Sequence, residues 1–314
     1  MRLGELLERA AWRLRAGGVA SPRLEAALLL GRVTGWDRAM QLAHPEWPVP
    51  GEQMAAFEAL VRRRLAAEPI AYLLGERDFY GYVFKADRRA LIPRPETELL
   101  VELGIAAVAR WRRQGIEPRV VEVGTGSGAV AISLALASQV DVIATELAWP
   151  ALTLARENAQ RLGALAPRPP RAGHAAEPSA PSGTIAARAA APVALPGRVR
   201  LVQCDLLGGL TGPLHVVLAN LPYVPSGRVL PPDVRDYEPH VAIFGGQRGT
   251  ELIERLLHEA QPLLAPGGEL CVELDEEEQA QPVAAVARTL YAGANVGIEQ
   301  DASGYDRVVR VQVA

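Results

Sequence analysis

Cysteine is nearly missing from this chain of 314 residues: there are two, Cys204 and Cys271. They lie far apart without metal-ligand spacing, each in an apolar strand-like run, so two reduced, buried thiols are expected. The five histidines (His44, His174, His215, His240, His258) form no HExxH and no paired spacing, and no metal site is expected. An excess of charge of one sign is absent as well. The formal net charge is −3, which gives no reason to expect a polyanion such as DNA or RNA as a direct partner. Long hydrophobic runs are lacking too: none approaches the roughly 20 apolar residues that cross a bilayer. The first residues, "MRLGELLERAAWRLRAGG", place Leu3, Leu6, Leu7, Ala10 and Leu14 at helical spacing among charged residues, unlike a signal peptide. No membrane association and a cytoplasmic location are therefore expected.

What is present is ample material for a core, with 49% hydrophobic residues. Residues 1–75 read as a small helical domain. Pro22 suits a first helical turn after Ser21, Gly35 a stop, and "GEQMAAFEALVRRRLAAEP" repeats the helical pattern up to Pro69. Residues 76–95 change character: aromatic residues around Gly81 suggest a hairpin, and Pro93 and Pro95 break the chain before a helix starting near Glu96, a combination expected to act as a hinge. Residues 96–314 alternate strand-like and helical runs, as in "RVVEV", "DVIATE", "VRLVQCD", "LHVVLAN", "GGELCVEL" and "DRVVRVQV". That rhythm predicts an α/β domain whose sheet is mostly parallel, with helices on both faces. One stretch, 164–197, is rich in Ala, Pro, Gly and Ser with almost no large apolar side chains, and reads as a disordered insertion.

"VVEVGTGSGAVAISLA" is a strand, a glycine-rich turn (Gly124, Thr125, Gly126, Ser127, Gly128) and a helix, a form in which backbone amides approach a nucleotide-like ligand. About 20 residues on, as such folds require, Glu146 ends the next strand, where its carboxylate can take both hydrogen bonds of a ribose diol. Asp205 follows the third strand, placed to accept from an adenine amino group, with Leu206 beside the ring. The fourth strand then ends on Asn220, Leu221, Pro222 and Tyr223. A planar nitrogen, whether amide or aromatic amine, attacks poorly unless its two N–H bonds are held in a fixed plane. The Asn220 oxygen and the Leu221 backbone carbonyl can accept those bonds, Pro222 stiffens the turn and Tyr223 can stack on the flat group. Such a site orients nitrogen toward a methyl donor such as S-adenosylmethionine.

On "LLGERDFYGYVF", "LIPRPETELLVE", "EVGTGSGAVAISLA", "NLPY" and "DVRDYEPHVAIFGGQRG", the chain resembles the bacterial release factor glutamine methyltransferases. The resemblance implies a Rossmann-like class I methyltransferase sheet with an N-terminal helical bundle that selects the substrate. It also implies S-adenosylmethionine as cofactor and, as product, a methylated N5 amide of the glutamine in the Gly-Gly-Gln motif of peptide chain release factors. By resemblance, Gly124 to Gly128, Glu146, Leu206 and Asn220 contact or flank the cofactor, and Asn220 to Tyr223 receive the glutamine. Two positions depart from the family pattern: Leu221 stands for a proline, and Asp275 for a glycine after "VEL". Asn-Leu-Pro-Tyr is also the form of ribosomal RNA adenine methyltransferases, and a sister enzyme that methylates a ribosomal protein shares the catalytic motifs.

Overall fold

A computed structural model describes residues 1–166, 197–274 and 276–314; Asp275 and most of the expected insertion, residues 167–196, lie outside the described residues. Five helices open the chain: α1 (Leu3–Ala16), α2 (Pro22–Thr34), α3 (Arg38–Ala43), α4 (Gly51–Leu65) and α5 (Ile70–Leu74). Leu3, Leu6 and Leu14 of α1 point inward, as their spacing demands, and meet Leu29, Leu30, Phe57 and Val61 in a core of their own. The arginines at the end of α4 are partly tied down within this bundle, Arg64 to Glu25 (2.6 Å) and Arg63 to Glu68 (2.7 Å).

An antiparallel hairpin follows, β1 (Glu76–Phe79) and β2 (Tyr82–Lys85). Its Phe79 and Phe84 are buried in the same cluster as the helices of the next domain. Backbone groups fasten it further: Tyr80 N donates to Glu98 Oε1 (2.8 Å), and Lys85 N to Asn158 Oδ1 (2.7 Å).

The remainder builds one seven-stranded sheet in the order β10-β11-β9-β6-β3-β4-β5. Its strands are β3 (Val120–Val123), β4 (Val142–Glu146), β5 (Val199–Gln203), β6 (Leu214–Ala219), β9 (Leu264–Glu273), β10 (Asn295–Gln300) and β11 (Asp306–Gln312); two short strands, β7 (Val224–Pro225) and β8 (Phe244–Gly246), pair separately. The first five in space from β5 to β9 are parallel, and β11 runs antiparallel to both its neighbours. Strand alternation divides the apolar residues between two faces. Val120, Val216 and Leu218 pack with α6 (Glu98–Arg113) and α7 (Ala129–Ser138), whereas, beyond α8 (Trp149–Arg161) and α9 (Pro232–Tyr237) in the chain, α10 (Glu251–Ala260) and α11 (Glu276–Leu290) pack with Val121, Val217 and Ala219. Helices on both faces are what the alternating rhythm predicts. The sequence reading passed over β10, whose "NVGIEQ" carries few large apolar side chains because it is an edge strand with no fully buried residue.

The ends of the Ala/Pro-rich stretch belong to the fold. Ala164 is fully buried, Leu165 bridges Val199, and Val199 N donates to Ala164 O (2.7 Å).

Candidate active site

Strand order reverses at β3, with β4 and β5 following on one side and β6 on the other, which opens a crevice at the carboxyl ends of β3 and β6. Register then decides which residues meet there. Val123 lies opposite Thr145 on one side and Ala219 on the other, and Ala219 lies opposite Val272. One residue further along each strand brings Gly124, Glu146, Asn220 and Glu273 to the same edge. A single cavity is lined there by Gly124, Thr125, Gly126, Ser127, Glu146, Asp205, Leu206, Asn220, Leu221 and Pro222, together with residues 89–94 and Thr97 from the linker. Gly128 and Tyr223 are not among the lining residues; the Tyr223 ring packs against the apolar cluster on the α10 side of the sheet.

The glycine turn is held from behind. Gly124 N and Thr125 N both donate to Thr145 O (2.9 Å each), and Gly126 N donates to Glu146 Oε2 (2.9 Å). The other Glu146 oxygen accepts from Ala148 N (2.9 Å). Each oxygen of that carboxylate therefore spends one acceptor direction on backbone and keeps another. Gly124 sits against Leu221, whose Cδ2 would lie 2.9 Å from any Cβ built there. The buried Leu221 side chain thus forms the floor of the turn while its carbonyl belongs to the backbone beside Asn220.

Beneath the turn is Glu122, 3% exposed, whose Oε2 accepts from Thr125 Oγ1 and from Ala131 N. Burial pushes its carboxyl up to about 8, against the pull of those two hydrogen bonds. Asn220 is fixed as well: its Nδ2 donates to Thr97 Oγ1 (2.9 Å), and the Thr97 hydroxyl donates to Glu273 Oε1 (3.1 Å).

The turn after Asn220 rests on "FGGQRG". A Cβ on Gly249 would fall 2.0 Å from Tyr223 O, and one on Gly245 2.2 Å from Pro222 O, so neither position has room for a side chain. Gln279 Nε2 donates to the same Tyr223 carbonyl (2.8 Å). Further along, Glu238 accepts from Arg94 (2.6 Å) and from Ile92 N (3.0 Å), joining this segment to the proline-rich linker.

Known proteins resemble the chain from end to end. Residues 5–75 match the family described as the PrmC N-terminal domain. The chain is 36% identical over 318 residues to the release factor glutamine methyltransferase of Deinococcus radiodurans, covering 100% of this chain and 99% of that protein. The chain belongs to the release factor glutamine methyltransferase family. A relative of the same name from Moorella thermoacetica is 36% identical over 311 residues, covering 98% of this chain and 97% of its own length. The fold reaches beyond this family. The hMettl16 catalytic domain superposes with a TM-score of 0.53 at 14% identity, over 80% of this chain and 83% of that one.

In this member of the release factor glutamine methyltransferase family two further side chains, besides Tyr223, sit differently from the sequence expectation. Asp205 reaches the cavity wall already paired with Arg255 (2.7 Å) on α10. Cys204, expected to be buried, is only partly so and lines the cavity, because β5 ends one residue before it. Cys271 is fully buried in β9, and burial pushes its thiol up to about 12. Sequence reasoning missed Glu122, Thr97, Glu238 and Glu273 as members of the site. Three of them carried a visible signal, a carboxylate inside or at the end of an apolar run ("VVEV", "LCVEL") and a threonine inside "PRPETE".

Proposed function

We propose that this chain binds S-adenosylmethionine in the cavity at the β3–β6 edge and methylates the N5 amide nitrogen of the glutamine in the Gly-Gly-Gln motif of peptide chain release factors. The observation that carries the reading is the fixed Asn220 amide, whose nitrogen is committed inward to Thr97 and whose oxygen remains as the acceptor beside the glycine turn. The wall suits the cofactor. Glu146 keeps an acceptor direction on each oxygen for a ribose diol, and Leu206, Leu147 and Ala148 offer apolar surface for a flat ring.

When bound, the cofactor supplies an electrophilic methyl group on a positively charged sulfonium. The work left to the protein is positioning. Asn220 Oδ1 and the Leu221 carbonyl accept the two N–H bonds of the glutamine amide and hold its plane, so that the nitrogen lone pair faces the methyl carbon. Glu146, Leu206 and Asn220 would hold the cofactor, which would supply the methyl group to the oriented amide nitrogen, and that nitrogen gives up its extra proton to solvent. No general base is required.

Residues 1–75 serve in this reading as the substrate-recognition domain, residues 76–95 join it to the transfer domain, and residues 96–314 carry the chemistry. Support for the division comes from the separate core built by α1, α2, α4 and α5 and the bonds that tie it over the cavity side: Tyr72 Oη to Ala90 O (3.0 Å) and Tyr237 Oη to Ala66 O (2.9 Å). Among the described residues no helix is long and apolar enough to cross a membrane; a chain with this substrate works where translation does, in the cytoplasm. Incubation with labelled S-adenosylmethionine and purified release factors, followed by mass spectrometry of the Gly-Gly-Gln peptide, tests the proposal. One methyl on the glutamine is expected, and label found only on a ribosomal protein or on ribosomal RNA would replace it.

A further inference from the structure

The reaction proposed above depends on one atom, Asn220 Oδ1, and a primary amide is nearly symmetrical in shape. A half turn about its last bond exchanges the acceptor for a two-proton donor, which would repel the N–H bonds it is meant to receive. Selection between the two must come from what the far side of the amide touches. There the chain of contacts has a direction. The Thr97 hydroxyl carries one proton, and Glu273 Oε1 takes it (3.1 Å), so Thr97 Oγ1 can only accept from Asn220, and Nδ2 lies 2.9 Å away.

We infer that Thr97 and Glu273 are positioning residues that lock the Asn220 amide with its oxygen toward the substrate. The inference rests on the reading of Asn220 as the group that receives the glutamine amide. Three observations carry it. Strand register sets Asn220 and Glu273 side by side, each one residue beyond the paired Ala219 and Val272. The "PRPETE" linker supplies Thr97 across 123 residues from Asn220 and 176 from Glu273, so three distant segments converge on one hydroxyl. Finally, Glu273 is 1% exposed, and its Oε2 has no hydrogen-bond partner among the described residues. Such a carboxylate is a poor way to stabilise a fold, because burying it costs more than burying an apolar side chain of similar volume. It is the simplest way to force a neighbouring hydroxyl to donate in one direction.

Protonation of Glu273 removes that compulsion. A neutral carboxyl can itself donate to Thr97, whose proton is then free to turn to the Asn220 oxygen. Burial pushes Glu273 up to about 7, with Thr97, Arg307 of β11 and Asn220 favouring the charged form and Glu96 opposing it. Transfer should therefore strengthen as pH rises through about 7.

The test uses the full chain, S-adenosylmethionine and an intact release factor. Thr97→Val should lower kcat by on the order of tenfold to a hundredfold, with KM for the release factor and cofactor affinity by calorimetry within about threefold of the parent. Thr97→Ser, which keeps the hydroxyl, should restore most of the rate. Glu273→Gln should lower kcat and flatten its rise across neutral pH. In protein labelled with 15N-asparagine and free of ligands, the Asn220 Nδ2 protons should exchange slowly in the parent and fast in Thr97→Val. A folded Thr97→Val or Glu273→Gln protein with parental kcat and pH profile would overturn the inference, provided Asn220→Ala is inactive alongside it. If Asn220→Ala itself turns over at the parental rate, the amide-receiving role fails. Should Thr97→Val not fold, the Glu273→Gln pH profile and the serine variant decide alone.

Discussion

Two carboxylates at the same sheet edge illustrate how environment divides labour between like residues. Glu146 lies half-buried with each oxygen on a backbone amide, and Glu146→Ala should weaken S-adenosylmethionine binding by about 2–4 kcal/mol, the scale of lost charge-assisted hydrogen bonds. Calorimetry reads this directly, and unchanged affinity in a folded protein would remove Glu146 from the site. Glu122 is sealed under the turn and keeps its proton up to about pH 8, whereas an ordinary glutamate, as in the unfolded chain, releases it near 4.5. Across that window the folded state binds more protons than the unfolded one, so stability falls as pH rises, by up to about 1.4 kcal/mol per pH unit, and the loss is complete above about 8. Glu122→Gln should erase this contribution. Urea midpoints measured from pH 5 to 9 for both proteins check it, and parallel curves would mean that Glu122 is charged in the fold.

At the level of elements, the parallel strands β3, β4, β5 and β6 and the residues at their ends were legible because each is a short apolar run with a turn signal at its carboxyl end. Gly124, Glu146 and Asn220 could be named before any geometry, since an open α/β sheet binds ligands at that edge. Thr97, Glu238 and Glu273 could not be assigned roles. Their meaning lies in partners 123 to 176 residues away, and local pattern says nothing of such pairings. The β7–β8 pair was equally hidden, being two and three residues long, yet it sets the turn after Asn220. Gly249 tests its importance. With φ at +83° and Tyr223 O in the way, Gly249→Ala should push the Asn220–Tyr223 turn out of place. A stability loss of about 1–3 kcal/mol and a fall in methyl transfer of tenfold or more are expected. Leu221→Pro should behave in the opposite sense: it trims an apolar floor under Gly124 and costs about 1–2 kcal/mol of stability, but keeps the carbonyl and hence the rate.

On the scale of the whole molecule, the place to separate recognition from chemistry is after Gly75. A chain beginning at Glu76 retains the hairpin and should still bind S-adenosylmethionine while methylating an intact release factor far more slowly, since two-site engagement is lost. Trimming ten residues further removes Phe79 and Phe84 from the sheet domain's core. At about 3–5 kcal/mol for each buried phenylalanine, that shorter chain should be grossly destabilised, and its inactivity would say nothing about recognition. Thermal melts of the two trimmed proteins, beside methylation of release factor and of a short Gly-Gly-Gln peptide, separate these effects; full-rate methylation of the factor by the chain beginning at Glu76 would dismiss the helical domain as selector.

The last strand in sequence is not the last in space: β11 lies between β9 and β10, with Arg307 near its start donating to Leu274 O (3.1 Å) next to Glu273. A chain cut between Gln300 and Asp306 would thus leave β9 and β10 with naked edges on either side of a gap, and one cut before Asn295 would leave the edge of β9 bare. Such fragments, whether from premature termination or a nick, should be sticky and readily destroyed rather than slow enzymes, so a cell would hold this activity either complete or not at all.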